Sequence, residues 1–218
     1  MPGTPVRSTP PLVWLIALMA LALVMSACGN SSADPWHITR SGPTVQILAS
    51  GSCPQSLGAA RDVRNHGAWR LKELVPTSPS SGLICRYSAS AIGPATSPAA
   101  QPALYRHVRL DRAQAASLAR LIAKVSTKAP TGVTACPADF NTATVITFGY
   151  GNGVGANLWY SDTGCQTLDN GSIGASETGN PSFYVSVIPL INRLAPQNPL
   201  PPGPAPLVSP LPSPSPSS

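Results

Sequence analysis

Residues 142–161, TATVITFGYGNGVGANLWYS, decide the fold class of this chain. The first half, Thr142 to Tyr150, is rich in β-branched and aromatic residues, which favour strands. Gly151 to Gly155 supplies turn residues, including Asn152-Gly153, and Ala156 to Ser161 then returns as a second extended segment. The stretch therefore predicts an antiparallel hairpin.

The chain continues as a meander after this hairpin. Asp162-Thr163-Gly164 marks the next turn, and Asn170-Gly171 is a strong tight-turn dipeptide between Gln166–Leu168 and Ser172–Ala175. We therefore predict two further antiparallel strands around Asn170-Gly171. Alternation of side chains divides the first hairpin strand between two faces: Ile146, Phe148 and Tyr150 on one, Val145 and Thr147 on the other.

The segment before the hairpin carries the clearest helix signal, from Leu110 to Val125. Asp111 is a good N-cap, and Gln114 three residues later completes a capping box that satisfies the first free backbone N–H groups. An apolar stripe and three cations on other faces indicate an amphipathic helix that packs on the predicted sheet. The stripe is Leu118, Leu121, Ile122 and Val125, and the cations are Arg112, Arg120 and Lys124.

Weaker patterns predict the remaining elements of the domain. They comprise a first strand at Thr44–Ala49, a short helix at Gln55–Asn65, two extended segments at Leu71–Val75 and Leu83–Tyr87, an exposed loop at Ala89–Pro102, and a closing helix from about Phe183 to Leu194. Pro189 lies inside the last pattern, so we expect a kink there.

The number of cysteines indicates the redox environment in which the protein folds. Four of them, Cys53, Cys85, Cys136 and Cys165, remain once Cys28 is set apart at the end of a signal-like segment. An even number in an exported chain predicts two disulfides, and four cysteines allow three connectivities. Because the predicted helix separates two pairs, we favour Cys53 with Cys85 and Cys136 with Cys165. Each bridge would close a loop of about 30 residues, which stabilises the fold by roughly 3 kcal/mol.

Charge is distributed unevenly along the chain. From residue 28 to residue 135, 12 Lys and Arg stand against 4 Asp and Glu, a net of +8, whereas residues 136–218 carry a net of −3. The basic half could lie against anionic lipid headgroups or bind anionic wall polymers. A solvated basic face without a dedicated partner is the simpler alternative. We expect no nucleic-acid partner.

The N-terminal segment explains why Cys28 is set apart. Leu12 to Met25 is a run of 14 apolar residues, shorter than the roughly 20 of a membrane-spanning helix and typical of a signal peptide. Met25-Ser26-Ala27-Cys28 resembles the lipobox of bacterial lipoproteins, although Met25 stands where that family usually has Leu. The resemblance implies that Cys28 receives diacylglycerol, becomes the mature N-terminus and holds the protein at the outer face of the cell membrane.

These signals divide the chain into four parts. We expect a signal peptide at residues 1–27, a flexible tether at 28–43, one domain at 44–195 and a disordered tail at 196–218, where ten of 23 residues are proline. The fold class is α+β, with a small antiparallel sheet packed against one long amphipathic helix and a shorter closing helix, and with two disulfides.

Each candidate catalytic motif in the sequence lacks a residue or a neighbouring element that its chemistry requires. Asp162-Thr163-Gly164 resembles the active-site triplet of aspartic proteases, but a single copy is better explained as a hairpin turn. Gly174 to Thr178 lacks the final glycine of a nucleophile elbow. His107 and Asp111 are four residues apart, but Asp111 is better explained as the helix cap than as a catalytic partner of His107. Three dispersed histidines and no C-x-x-C pair predict neither a metal site nor a cofactor.

One candidate binding surface remains, formed by aromatic residues of the predicted hairpin. Tyr150, Trp159 and Tyr160 could bind a ligand on the sheet, although strand alternation turns some of them into the core.

The order of motifs provides a second resemblance. Cys53-Pro54, Cys85-Arg86-Tyr87, a capped helix, Cys136-Pro137 and an aromatic hairpin resemble small uncharacterised exported proteins of actinobacteria. The resemblance spans about residues 52–195 and implies a disulfide-bonded extracytoplasmic α+β domain, with no activity to transfer. We therefore expect a non-catalytic binding or interaction lipoprotein of the cell envelope. The alternatives are an inhibitor or immunity-type protein that blocks a secreted enzyme through an exposed loop such as Ala89–Pro102, and a hydrolase with an unrecognised site, for which Asp162 is the leading candidate.

Overall fold

A six-stranded antiparallel sheet forms the centre of the computed structural model of this protein. The structure describes residues 34–39, 41–88, 102–130, 136, 142–151, 153, 155–178 and 180–197. Its strands, in chain order, are β1 (Thr44–Val45), β2 (Asp62–Val63), β3 (Ser81–Ser88), β4 (Ala103–Leu110), β5 (Ala143–Gly149), β6 (Gly155–Ser161), β7 (Thr167–Asp169) and β8 (Gly174–Ser176). The central sheet has the order β4-β3-β5-β6-β7-β8, and β1 pairs with β2 in a separate parallel pair.

The predicted meander is confirmed, and its central strands are buried on both faces. Strand β3 lies between β4 and β5, with Ile84 opposite both Val108 and Ile146. Ile146 and Phe148 belong to one buried cluster, whereas Val145 belongs to a second cluster across the sheet. The sheet therefore needs apolar cover on each side.

Helix α1 (Arg112–Ile122) covers the first face, and its predicted cap is confirmed. The Asp111 carboxylate accepts from the Gln114 backbone N–H at 2.8 Å, and the Gln114 side chain accepts from the Asp111 N–H at 3.1 Å. The buried face of α1 packs over the sheet in the larger core cluster, since the helix stripe and the inward residues of β3, β5 and β6 are apolar. Its buried members are Ala115, Leu118, Ala119 and Ile122.

The closing helix covers the rest of this face and is confirmed, with a distinctive start. A π-helical turn, Phe183–Val187, leads directly into helix α2 (Ile188–Leu194). Pro189 has no N–H to donate to the Val185 carbonyl, and the Ile188 N–H instead bonds to Phe183 one residue further back. The sequence predicts a kink at Pro189, and the structure has a widened, π-helical turn directly before it.

The opposite face is covered by residues 44–65, and here two predictions are wrong. Residues 55–65 form no helix: Gly58 takes a left-handed backbone angle (φ 57°), and Asp62–Val63 is strand β2. The buried Leu57 and Val63, which suggested helical spacing, lie instead in an irregular segment pressed onto the sheet. The predicted first strand at 44–49 is limited to Thr44–Val45.

Two further segments differ from the sequence-based expectation. Strand β4 was not predicted, although Val108 and Leu110 alternate with the polar His107 and Arg109 as strand residues do. The segment at 71–75 is not extended but follows a 3₁₀ turn, Ala68–Leu71, and buries Leu74 and Val75 without pairing. The extended segment at 83–87 is confirmed within β3.

The two predicted disulfides are confirmed with the favoured connectivity. Cys53–Cys85 joins the covering segment to β3 with a Cα–Cα distance of 5.7 Å. Cys136–Cys165 joins the region after α1 to the turn after β6 with a Cα–Cα distance of 4.8 Å. The first bridge therefore fastens one layer of the fold to the next.

The last part of the predicted tether is attached to the domain. The Ile38 N–H donates to the Ser172 carbonyl at 3.0 Å, and the Gly174 N–H donates to the Trp36 carbonyl at 3.0 Å, so residues 36–38 run along the β8 edge of the sheet. Residues 1–33, the loop at 89–101 and the tail from 198 lie outside the described residues. Within the residues that the structure describes, every helix falls short of the length or apolarity needed to span a bilayer.

Gly171 provides a test of how residues 44–65 pack on the sheet. A Cβ at Gly171 would lie 2.5 Å from the Val63 carbonyl oxygen, and the residue has φ 79°. Gly153 has φ 76° with open space around it, so Gly153→Ala isolates the backbone strain. We expect Gly153→Ala to lower the free energy of unfolding by about 1 kcal/mol, and Gly171→Ala by roughly 2 kcal/mol more, in urea denaturation. Equal losses would contradict the close contact between Gly171 and Val63.

Candidate functional site

The predicted site residues fall into four groups in the structure. Cys28, the predicted lipidation site, lies outside the described residues. The four remaining cysteines are all paired in disulfides. The loop proposed for an inhibitory role, residues 89–102, is described only at Pro102.

The three aromatic residues of the candidate binding surface do not lie together on a surface. Tyr160 is fully buried on the helix side of the sheet, where its ring meets Phe183 edge to face with centroids 6.1 Å apart. Trp159 belongs to the cluster on the opposite side. Tyr150 is half-buried, and its hydroxyl donates to the Pro76 carbonyl at 2.6 Å. These side chains serve chiefly as packing.

A buried ion pair occupies one end of the helix side of the sheet. Arg86 is fully buried, and its Nη1 donates to Asp162 Oδ2 at 3.1 Å. Arg86 Nη2 donates to the Asn192 side chain of α2 at 2.7 Å, and the Thr144 hydroxyl donates to the same Asp162 oxygen at 3.0 Å. We call Arg86, Thr144, Tyr160, Asp162 and Asn192 the Arg86 cluster.

Strand register explains how distant residues meet in the Arg86 cluster. Arg86 on β3 lies opposite Thr144 on β5, which in turn lies opposite Tyr160 on β6. Asp162 follows Tyr160 by two residues and therefore emerges on the same face. Because burying a charge is costly unless it is paired, the two opposite charges must be satisfied together.

Several polar atoms of this cluster make no hydrogen bond to the described residues. They are Arg86 Nε, Asp162 Oδ1 and the Tyr160 hydroxyl. Burial, followed by the nearby Asp162 carboxylate, raises the pKa of the Tyr160 phenol above its ordinary value, so the phenol stays protonated at neutral pH. Asp162 is held by Arg86 and Thr144, so the carboxylate that a hydrolase would use is engaged in a structural contact.

A second buried polar group shows what a fully satisfied network looks like. The Asn65 side chain donates to the backbone carbonyls of Asn157 and Asn170 at 2.7 and 2.8 Å and accepts from the Asn157 N–H. The Asn157 side chain accepts from Ile47 N–H and from the Thr147 hydroxyl. These bonds join residues 44–65 to β5, β6 and the β7–β8 turn, and they indicate a structural role.

The other motifs weighed in the sequence also lie in structural positions. Ser176 is buried in β8, where its hydroxyl accepts from the Thr178 N–H at 3.2 Å. His107 is exposed on β4, whereas Asp111 caps α1. No group of three or more His, Cys, Asp or Glu residues suited to a metal ion occurs among the described residues.

An open groove beside α1 gathers cationic and hydroxyl side chains. We call it the basic groove; it has a volume of about 540 Å³ and is lined by Thr77, Ser78, Pro79, Arg112, Ala116 and Arg120. The lining residues of α1 recur at intervals of four, which places them on one helix face. Arg112 and Arg120 are both exposed, so their guanidinium groups are accessible to an anion.

Sequence reasoning identified neither feature as a candidate site. An arginine within the apolar run Leu83–Tyr87 was a usable signal, since a charge inside a buried strand needs a partner. Arg112 and Arg120 were recognised as cations off the apolar stripe, but nothing in the sequence places Thr77 and Ser78 beside them.

No protein-family model, curated protein or solved structure matches this chain. Function must therefore be inferred from its own residues.

The Arg86 cluster yields a test of its role. Asp162→Ala leaves the Arg86 charge buried without its carboxylate, so we expect it to lower the free energy of unfolding by about 3–5 kcal/mol. Replacing both partners, in Arg86→Met with Asp162→Leu, removes the uncompensated charge and should recover most of that loss. Urea denaturation of the two variants and the native protein measures both effects. A single variant as stable as the native protein would contradict a structural ion pair.

Proposed function

We propose that this protein is a lipid-anchored, non-catalytic binding module of the cell envelope, held at the outer face of the cell membrane through Cys28. The observation that carries the proposal is the pairing of Cys53, Cys85, Cys136 and Cys165 within one domain. Of the five cysteines in the chain, only Cys28 is left over, and it ends an apolar, signal-like segment.

Redox chemistry supports the compartment. Disulfides form and persist in oxidising environments and are rare in the cytosol. The two bridges therefore favour an extracytoplasmic domain. The lipid anchor itself is supported by the sequence of residues 12–28 alone.

The basic groove supports an anionic ligand, and we propose an anionic wall polymer. Arg112 and Arg120 are eight residues apart on α1, which separates their Cα atoms by about 12 Å along the helix axis. Neither side chain is engaged in an ion pair among the described residues. Thr77 and Ser78 on the other wall add hydroxyl groups that can bond to phosphate or sugar oxygens. A linear polymer with repeated negative charges matches this arrangement better than a single compact ion.

The lipid anchor can be tested by localisation. We expect Cys28→Ser to move the protein from the membrane fraction to the soluble extracytoplasmic fraction, because no other cysteine is placed to receive lipid. Ser26→Ala keeps a small residue before the cysteine and should remain with the membrane. Immunoblots of fractionated cells measure the distribution. Retention of the Cys28→Ser variant in the membrane fraction after a high-salt wash, which releases electrostatic membrane contacts, would contradict the anchor.

The groove can be tested by binding to a defined polyanion. We expect Arg112→Ala with Arg120→Ala to weaken binding of a short linear polyphosphate by at least about tenfold, since two charge-assisted contacts are lost. Arg64→Ala with Lys72→Ala removes the same charge from exposed positions outside the groove and should change affinity far less. Isothermal titration measures both, with a neutral polysaccharide as the ligand control. Equal weakening by the two pairs would show a non-specific charge effect and overturn the assignment.

A further inference from the structure

We infer that the C-terminal end of α1 and the start of the closing helix form a surface that lies against anionic phospholipid headgroups and orients the anchored domain. We call it the membrane-facing patch and define it as Trp36, Lys124, Lys128, Tyr184 and Val185. The inference rests on the proposed lipid anchor and adds a second, independent membrane contact.

The apolar part of the patch is a pair of unusually exposed side chains. Tyr184 is 61 % exposed and Val185 is 64 % exposed, the highest values among the large hydrophobic residues that the structure describes. The same π-helical turn buries Phe183 and Val187 in the core, and Tyr184 and Val185 between them face outward. An exposed Tyr beside an aliphatic residue is typical of side chains at a membrane interface.

Two hydrogen bonds connect this pair to the end of α1. The Asn180 side chain donates to the Ser126 carbonyl at 2.8 Å, and the Tyr184 N–H donates to the Asn180 carbonyl at 3.3 Å. Ser126 lies between Lys124 and Lys128, which are both exposed. The apolar pair and the two lysines therefore occupy the same end of the domain.

The charge at this end suits an anionic surface. Neither lysine side chain takes part in an ion pair within the described part of the chain. Arg120, also exposed, lies one helical turn before Lys124. The acidic residues nearest in sequence are the exposed Asp34, two residues before Trp36, and the half-buried Glu177, three residues before Asn180. Cations close to a membrane surface that carries anionic lipids are attracted to it, and Tyr, Val and Lys together form the composition of an interfacial contact.

The position of the tether identifies a bilayer, rather than another protein, as the occupant. The Trp36 N–H donates to the Thr127 carbonyl at 2.5 Å, so the tether joins the domain beside Lys128. Cys28 is eight residues before Trp36, and eight residues span at most about 29 Å when fully extended. A lipid on Cys28 would therefore keep the membrane-facing patch within reach of the headgroups whatever path the tether takes.

This orientation leaves the Arg112 end of the basic groove accessible. Arg112 begins α1 and Ile122 ends it, ten residues later, which is about 15 Å along the helix axis. With the C-terminal end of α1 at the membrane, the Arg120 end of the groove lies nearest the headgroups, and its Arg112 end extends toward the space outside the membrane, where a wall polymer would be found.

Vesicle binding by a lipid-free protein tests the patch separately from the anchor. The chain from residue 28 onward, carrying Cys28→Ser, is mixed with vesicles of neutral phosphatidylcholine or of phosphatidylcholine with 30 % phosphatidylglycerol, and bound protein is measured by sedimentation. We expect binding to the anionic vesicles at low salt, with much weaker binding to neutral vesicles. Lys124→Gln with Lys128→Gln should lower the partition constant roughly tenfold, and Tyr184→Ser with Val185→Ser should lower it by a similar factor.

Matched controls use exposed residues outside the patch. Leu48→Ser with Leu71→Ser removes two other exposed apolar side chains, and Arg64→Gln with Lys72→Gln removes two other cations. Both pairs should bind anionic vesicles like the parent protein. All substitutions are at the surface, and urea denaturation confirms that each variant is folded.

Each outcome decides the inference. Vesicle binding that is absent, or that falls equally in patch and control variants, would overturn it. Self-association that is lost only in Tyr184→Ser with Val185→Ser, without vesicle binding, would assign the patch to a second copy of the chain and also overturn it. The result does not depend on lipid at Cys28, so a failure here leaves the anchor intact, and an unmodified Cys28 in cells would refute the anchor without changing the vesicle result.

Discussion

The need to bury both faces of strand β3 shapes the whole domain. Every interior residue of this strand is buried, so an apolar layer must cover each side. Helices α1 and α2 supply one layer through long amphipathic faces. Residues 44–65 have little regular structure and supply the other, which explains why that layer is fastened by the Cys53–Cys85 bridge and by the Asn65 and Asn157 hydrogen bonds.

The elements that could be predicted are those specified by neighbouring residues. The α1 cap depends on Asp111 and Gln114, three positions apart, and the hairpin depends on a turn between a β-branched run and an aromatic-rich run, so both signals lie within one short window. The helix expected at 55–65 failed because its apolar spacing reflects contact with the sheet and not a helical face. Strand β4 was missed because its exposed, charged edge weakens the apolar alternation.

The candidate sites could not be predicted from the sequence because each of them joins residues that are distant along the chain. The Arg86 cluster joins β3, β5, the turn after β6 and α2, and the basic groove joins residues 77–79 to α1. Such contacts depend on register and on layer packing, which no local pattern encodes. The basic groove runs along α1 from Arg112 to Arg120, and the membrane-facing patch begins one turn later at Lys124, so one helix would stabilise the sheet and carry both proposed surfaces.

The central claim is that four cysteines lock the domain while the fifth carries lipid outside the cytosol. Intact mass spectrometry of protein extracted from membranes without reducing agent tests both parts together. The account predicts a chain that begins at Cys28, has lost four hydrogens to two disulfides and has gained the mass of a diacylglycerol group. A chain that retains Met1 and carries five free thiols would contradict it.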